Sequence, residues 1–443
     1  MTRPAARRPL ARAVVVLAVV GTTLAALTGC SNDPANAVGW LKSQSGIVGA
    51  QVVESSNEEL LVTGTTRGEL KPGLSNAEIG RLVDAVQAYG AKHPNVTIEL
   101  GHGELAFAVT TDDETATAIK LWHAAEKVPK LLTAVSLGNA INAGVLRADV
   151  GPVLDTLLGF GARLQLDAYT DLATANSAYA ASGSLSYVAD TDCHPNRAVV
   201  AYTVAVAKRT DVGSGQLQLC DNLSLTLTPG TSLAATAPGM RAELDRAGLT
   251  TFPVNLNNQP NDNSSPDTVD LTPGNPAFLT VLTGLEASKL PELGYELDSD
   301  GTLTLIDYTD PASTLVSLAS SAGAGALPAV LLKAKDVTIG GALGQLPGLL
   351  TEATALAAAS PTLVTVSLTP TTGSVDLNSA VGADPDVVTA AAALKASGAV
   401  GSRSFKVIYA AYEVDIQGGV ATIGDPDYVG GEFMNQFVTA WNG

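Results

Sequence analysis

Four histidines and a pair of downstream cysteines bound the chemistry open to this 443-residue chain. His102 stands beside Glu104 in a Gly101-His102-Gly103 turn, while His123 and Glu126 are three residues apart in a helical stretch. His102, His123 and Glu126 are therefore the candidate metal or acid–base group. A solvated turn histidine and a surface helix pair account for them more simply, so no metal site is expected. Asp190, Asp192, Cys193 and His194 are metal-ligating types, but they crowd a single Pro-containing loop instead of standing at spaced positions. Asp298-Ser299-Asp300-Gly301 lacks the further ligands and closing glutamate of a calcium loop, and Asp300-Gly301 is expected to form a type I′ hairpin turn. Phe433, Phe437 and Trp441 recur every fourth residue, which suits the core face of a terminal helix better than an aromatic binding stripe. No nucleophile elbow, phosphate loop, zincin helix or close cysteine pair appears. Neither a catalytic residue nor a cofactor is assigned.

Of three cysteines, Cys193 and Cys220 are separated by 27 positions. In an exported protein such a pair is expected to form a disulfide.

Export is read from the other end of the chain. Arg3, Arg7, Arg8 and Arg12 occur with no acidic residue nearby, and Ala13 to Leu27 is apolar and small. At 15 residues this run is shorter than the roughly 20 that span a bilayer as a helix, so it reads as a signal peptide over residues 1–29. It closes on Leu27-Thr28-Gly29-Cys30, which resembles the lipobox of bacterial lipoproteins. The resemblance implies cleavage before Cys30, a diacylglyceryl thioether on its sulfur and a further fatty acyl chain, such as palmitate, on its amine. Residues 30–45 would then be a lipidated tether, polar over Ser31 to Ala37. The expected address is the cell membrane, lipid-anchored on its extracytoplasmic face.

Removing the signal leaves 21 basic against 43 acidic residues, a net −22. Nucleic acid and anionic headgroups are poor partners for that charge. With 46% hydrophobic, 15% charged and only 5% aromatic residues, the body has enough apolar content for cores built from Ala, Val and Leu.

Periodicity alternates between two and 3.6 along the chain. Val48 to Val53 and Leu60 to Thr66 read as strands. Ser75-Asn76-Ala77-Glu78 is a capping box opening a helix whose apolar face holds Ile79, Leu82, Val83, Val86 and Tyr89. Pro94 ends it. Strands are expected over Val96 to Leu100 and Glu104 to Thr110, and Thr111-Asp112-Asp113-Glu114 is a second expected capping box, for a helix turning Ile119, Trp122 and Ala125 inward. Downstream, Leu346, Leu349, Leu350, Ala353 and Leu356 repeat the helical spacing, Pro361 ends it, and Val364-Thr365-Val366 starts a strand. Further helix starts fall near Asp149, Pro195, Ser232, Pro276, Asp310, Asp384-Pro385 and Gly431. A step of about 40 residues predicts tandem ββα units, an α+β fold whose units pair into antiparallel-sheet plaits with helices on one face. This element order resembles tandem BON and ferredoxin-like plaits. The boundaries expected are 46–130, 131–212, 213–292 with a polar loop over 257–273, and 293–443, the last resembling 46–130. Ala319 to Ala329 is expected to be a flexible connection.

An anchor, repetition and missing catalytic motifs point to a non-enzymatic binding module for an envelope protein or polymer. The alternative is a solute-binding or hydrolytic lipoprotein with a site between domains. Parallel two-lobed sheets would favour that alternative.

Overall fold

Side-chain caps and prolines set the helix starts. In the computed structural model, which describes residues 33–58, 61–175, 184–258, 267–272, 278–288, 294–298, 300–308, 310–321, 323–377, 386–401, 403–409, 412–423 and 432–443, the chain forms two units, divided between Ile98 and Glu99. That division falls inside the segment expected as a single 46–130 plait.

The first unit opens with α1 (Asp33–Lys42), followed by β1 (Ile47–Glu58), β2 (Leu61–Leu70) and α2 (Asn76–Gly90). The stretch read as a tether is thus helical from Asp33, because Ala37 and Leu41 on α1 are fully buried against the β1–β2 hairpin. The Thr66 hydroxyl on β2 donates to the Pro34 carbonyl at 3.2 Å. The capping box of α2 is present as expected: Ser75 accepts from the Glu78 backbone N–H, and the Glu78 carboxylate accepts from the Ser75 backbone N–H at 2.8 Å. Ile79, Leu82, Val83 and Val86 are its buried face. Tyr89 is instead stacked between Trp40 and His93, with ring centroids at 4.2 and 4.1 Å.

The second unit repeats a hairpin followed by a helix. β3 (Val96–His102), which begins just before the division, and β4 (Leu105–Ala108) precede α3 (Asp112–Ala125). β5 (Thr133–Leu137), β6 (Ala140–Leu146) and α4 (Val150–Leu158) follow. β7 (Arg163–Tyr169), the short α5 (Leu172–Ala175), β8 (Ser184–Ala189) and α6 (Arg197–Ala207) come next. Then come β9 (Val212–Gln218), β10 (Asn222–Leu227) and α7 (Leu233–Arg246), and after them β11 (Val254–Asn257), β12 (Thr268–Asp270) and α8 (Phe278–Ser288). β13 (Tyr295–Leu297), β14 (Leu303–Tyr308) and α9 (Pro311–Ser320) lead to β15 (Val330–Ala334), β16 (Val337–Gly341) and α10 (Leu346–Ala359). The chain ends with β17 (Leu363–Leu368), β18 (Thr372–Leu377), α11 (Val387–Ser397), β19 (Ser404–Tyr409), β20 (Tyr412–Gln417), β21 (Val420–Ile423) and α12 (Glu432–Asn442).

The α+β class and the ββα order hold. Each hairpin is antiparallel, as expected, but successive hairpins are joined in parallel: β4 with β5, β6 with β7, β8 with β9, β10 with β11, and so on to β18 with β19. From β3 onward each strand therefore pairs with the next in sequence, in one continuous sheet in place of separate antiparallel plaits. Helices α4 and α6 touch, as do α7 with α8, and each of α8 to α11 with its successor. Arg209, just after α6, bonds Glu243 of α7 at 2.9 Å. Helices on opposite faces would be held apart by the sheet, so these share one face. Parallel pairs alternate in direction while the sheet advances one way. Keeping their helices on one face therefore makes every second crossover left-handed, against the usual preference.

Burial follows that arrangement. On β7, Leu164, Leu166 and Ala168 are fully buried while Arg163, Gln165, Asp167 and Tyr169 are half-buried. β10 repeats this, with Leu223, Leu225 and Leu227 inward. One hydrophobic cluster runs from Ala125 to Trp441 beneath the helices. At about 2 kcal/mol for each buried leucine, it dominates the stability of this unit.

Several local expectations are corrected. Thr111 is the N-cap of α3 without a side-chain cap bond, and the Thr115 hydroxyl accepts from the Thr110 N–H at 2.9 Å. Ile119 is half-buried, and Ala118, Leu121, Trp122 and Ala125 form the inward face of α3. The Asp300-Gly301 turn is not type I′, which needs two successive left-handed residues. Of these two residues only Gly301 is left-handed (φ +88°), and the Asp298 N–H donates to the Thr302 carbonyl at 2.9 Å. The 257–273 loop contains β12, and Ala319 to Ala329 contains a 3₁₀ turn over Ala324–Ala326 with Ala324 buried. The helix expected from Asp384-Pro385 has Asp386 as its N-cap, and residues 378–385 lie outside the described residues.

Candidate functional site

The histidine group is brought together only around an indole. His102 ends β3, and its ring lies 5.5 Å from that of Trp122 on α3. His123 lies 4.5 Å from the same indole, and its Nδ1 is 3.1 Å from Glu126 Oε2. Trp122 is buried, with Nε1–H donating to the Leu105 carbonyl at 3.1 Å. The indole is thus the common neighbour of both imidazoles, and among the described residues no three His, Cys, Asp or Glu side chains are grouped to hold a metal ion.

Cys193 and Cys220 form a disulfide with Cα atoms 5.9 Å apart. Cys193 therefore has no thiolate to offer a metal beside Asp190, Asp192 and His194. The bond ties the loop before α6 to the β9–β10 turn. Arg147, which precedes α4, donates through Nη1 to the Val212 carbonyl at 2.7 Å and through Nη2 to the Gly213 carbonyl. Burial lowers its pKa. On α12, Phe437 and Trp441 are buried, with ring centroids 6.2 Å apart, and the Lys395 ammonium lies 5.9 Å from the Trp441 ring. Those two residues are core, as expected; the Phe433 side chain lies outside the description. Cys30 also lies outside the described residues.

The feature that sequence reading missed is the sheet face opposite the helices. Strand register aligns Asp167, Ser186, Gln216, Ser224, Asn255 and Asp270 in one row from β7 to β12. A neighbouring row runs Ser214, Thr226, Asn257, Thr268, Glu296 and Thr304. Six strands at the usual spacing make each row about 24 Å long. Most of these side chains are half-buried or exposed. Mutual hydrogen bonds fix some of them: Thr268 Oγ1–H donates to Asn257 Oδ1 at 2.7 Å, and Asn257 Nδ2–H donates to Ser224 Oγ at 3.4 Å. Oriented amides and hydroxyls at regular intervals can donate to and accept from a ligand that repeats polar groups along its length.

Beyond β12 the face turns acidic. The Asp298 pKa is raised from its ordinary value, by desolvation and then by the nearby charges of Asp300, Glu296 and Asp270. Asp267, at the start of β12, is pushed up to about 6, chiefly by burial. The bonds it accepts from Asn258 Nδ2–H at 2.6 Å and the Tyr295 backbone N–H at 3.2 Å partly offset that rise.

No protein-family model, no curated protein and no solved structure matches this chain.

Proposed function

We propose that this protein is a lipid-anchored, extracytoplasmic binding protein that presents the polar sheet face of its second unit to a neutral, hydroxyl-rich envelope polymer. The two register rows carry this reading. Protein-binding surfaces are enriched in aromatic residues, Met and Arg at their centres. These rows hold Ser, Thr, Asn and Gln instead, with Asp167, Asp270 and Glu296 among them, groups that can replace water around sugar hydroxyls. Residues 99–443 carry 36 acidic against 16 basic residues, a net −20 that disfavours anionic polymers. The Leu27-Thr28-Gly29-Cys30 motif supports the anchor, which would keep the face at the envelope.

Co-sedimentation with purified envelope polysaccharide tests the reading. Gln216→Ala with Asn255→Ala should weaken retention about thirtyfold, at roughly 1 kcal/mol for each of two polar contacts. Unchanged retention, or no retention of the unaltered protein, would reject a glycan-binding face. Cys30→Ala should release the protein from membranes, and persistence after a carbonate wash would reject the anchor.

A further inference from the structure

The first unit places an unusual amount of apolar surface on one strand. Val48, Val52 and Val53 of β1 are 58%, 40% and 47% exposed. Among the described residues β1 pairs with β2 alone, so its other side is a free sheet edge. Register shifts at Ile47/Gly49 and Val52/Glu54 leave Val48 and Val53 without opposite residues, and such bulges re-aim side chains out of the regular alternation. A long edge with exposed valines invites association unless something covers it.

The chain before α1 indicates what covers it. Only Ser31 and Asn32 separate Cys30 from Asp33, so the Cys30 and Asp33 Cα atoms are at most about 11 Å apart. Asp33 adjoins Pro34, whose carbonyl accepts from Thr66, and Thr66 is the residue directly opposite Val52. Acyl chains on Cys30 would therefore enter the bilayer within a few residues' reach of the valine edge. Residues 33–98 carry 7 acidic against 5 basic residues, so this unit has almost none of the charge that would keep the second unit from a headgroup layer.

We infer that the valine edge of β1 seats against the lipid interface beside the anchor, giving the protein a second membrane contact. The inference rests on the lipid-anchor reading above. Its partner is an uncharged lipid surface, met by apolar side chains, and it limits how freely the first unit swivels on its acyl chains.

The test uses the full mature lipidated protein in phosphatidylcholine vesicles, with its disulfide intact. An environment-sensitive fluorophore is attached at Val52→Cys, at Val53→Cys or, as a control in the second unit, at Val316→Cys, which is 72% exposed on α9. Lipids spin-labelled near the headgroup should quench positions 52 and 53 several-fold more than position 316. Equal quenching at all three sites, in protein that floats with vesicles and carries acyl mass on Cys30, overturns this inference and leaves the anchor standing. Efficient disulfide cross-linking of unlabelled Val52→Cys between copies would assign the edge to a second chain and also overturn it. A Cys30 peptide without acyl mass overturns the anchor, and this inference with it.

Discussion

Opening the Cys193–Cys220 bond isolates one crossover of the second unit. The bond closes a loop of 27 residues that contains α6 and β9, one of the parallel steps on which the continuous sheet depends. On the chain-entropy model a loop of this length is worth about 3.5 kcal/mol at 25 °C. Cys193 is half-buried and Cys220 exposed, so serine at both positions sacrifices little packing and the loss reports the cross-link itself. Urea unfolding of the Cys193→Ser/Cys220→Ser variant should show a midpoint lowered by that stability divided by the slope. Amide exchange should quicken first in β8, β9 and β10, and mild reduction of the unaltered protein should reproduce the shift. A loss below about 1 kcal/mol would refute the reasoning, since the unfolded chain would then gain little freedom from an open bond.

Three further outcomes follow from particular side chains. Asp267 titrates near 6 in the folded protein against an ordinary 3.8. The folded state holds this proton more tightly, so stability should fall as pH rises between those values and level off above them. The total is about 1 to 2 kcal/mol after discounting for partial solvent exposure; thermal melts of the unaltered protein and Asp267→Asn across that range check it, and matching pH profiles would contradict it. Val83→Asp buries an unpaired charge under α2 and should cost several kcal/mol in urea unfolding. Gly373→Ala would set a Cβ 2.4 Å from the fully buried Phe405 ring and 3.0 Å from Leu368 Cδ2; overpacking of about 1 to 3 kcal/mol is expected, and an unshifted midpoint would mean that the ring moves freely.

Local signals told most about the helices. Ser75, Ser232 and Asp310 each cap the helix that begins after them, since a short polar side chain before an apolar period has one economical use. α1 escaped notice because its sequence is weakly amphipathic, and its burial comes from packing against the β1–β2 hairpin that begins at Ile47, beyond the helix's own sequence. Strand periodicity was equally plain in Val96 to Leu100 and Glu104 to Thr110, which become β3 and β4, but periodicity gives which side chains share a face, never which strand lies beside it. The parallel joins between hairpins arise from crossovers through whole helices, so they left no mark at the residue level. For the same reason the polar rows were invisible: Gln216, Asn255 and Asp270 meet only through the register of strands far apart in sequence. His102 and His123 were legible as candidates, whereas their shared neighbour, the Trp122 indole, depends on how α3 lies on β4.

The central claim, that the face opposite the helices is the working surface, is tested most directly by hydroxyl-radical footprinting of the full protein with and without envelope polysaccharide. Protection is expected at Tyr169 and Val188, which border the polar rows on β7 and β8, while Val316 and Val388 on the helical face keep their reactivity. Protection confined to the helical valines, or no change at either face at saturating polysaccharide, would contradict the account.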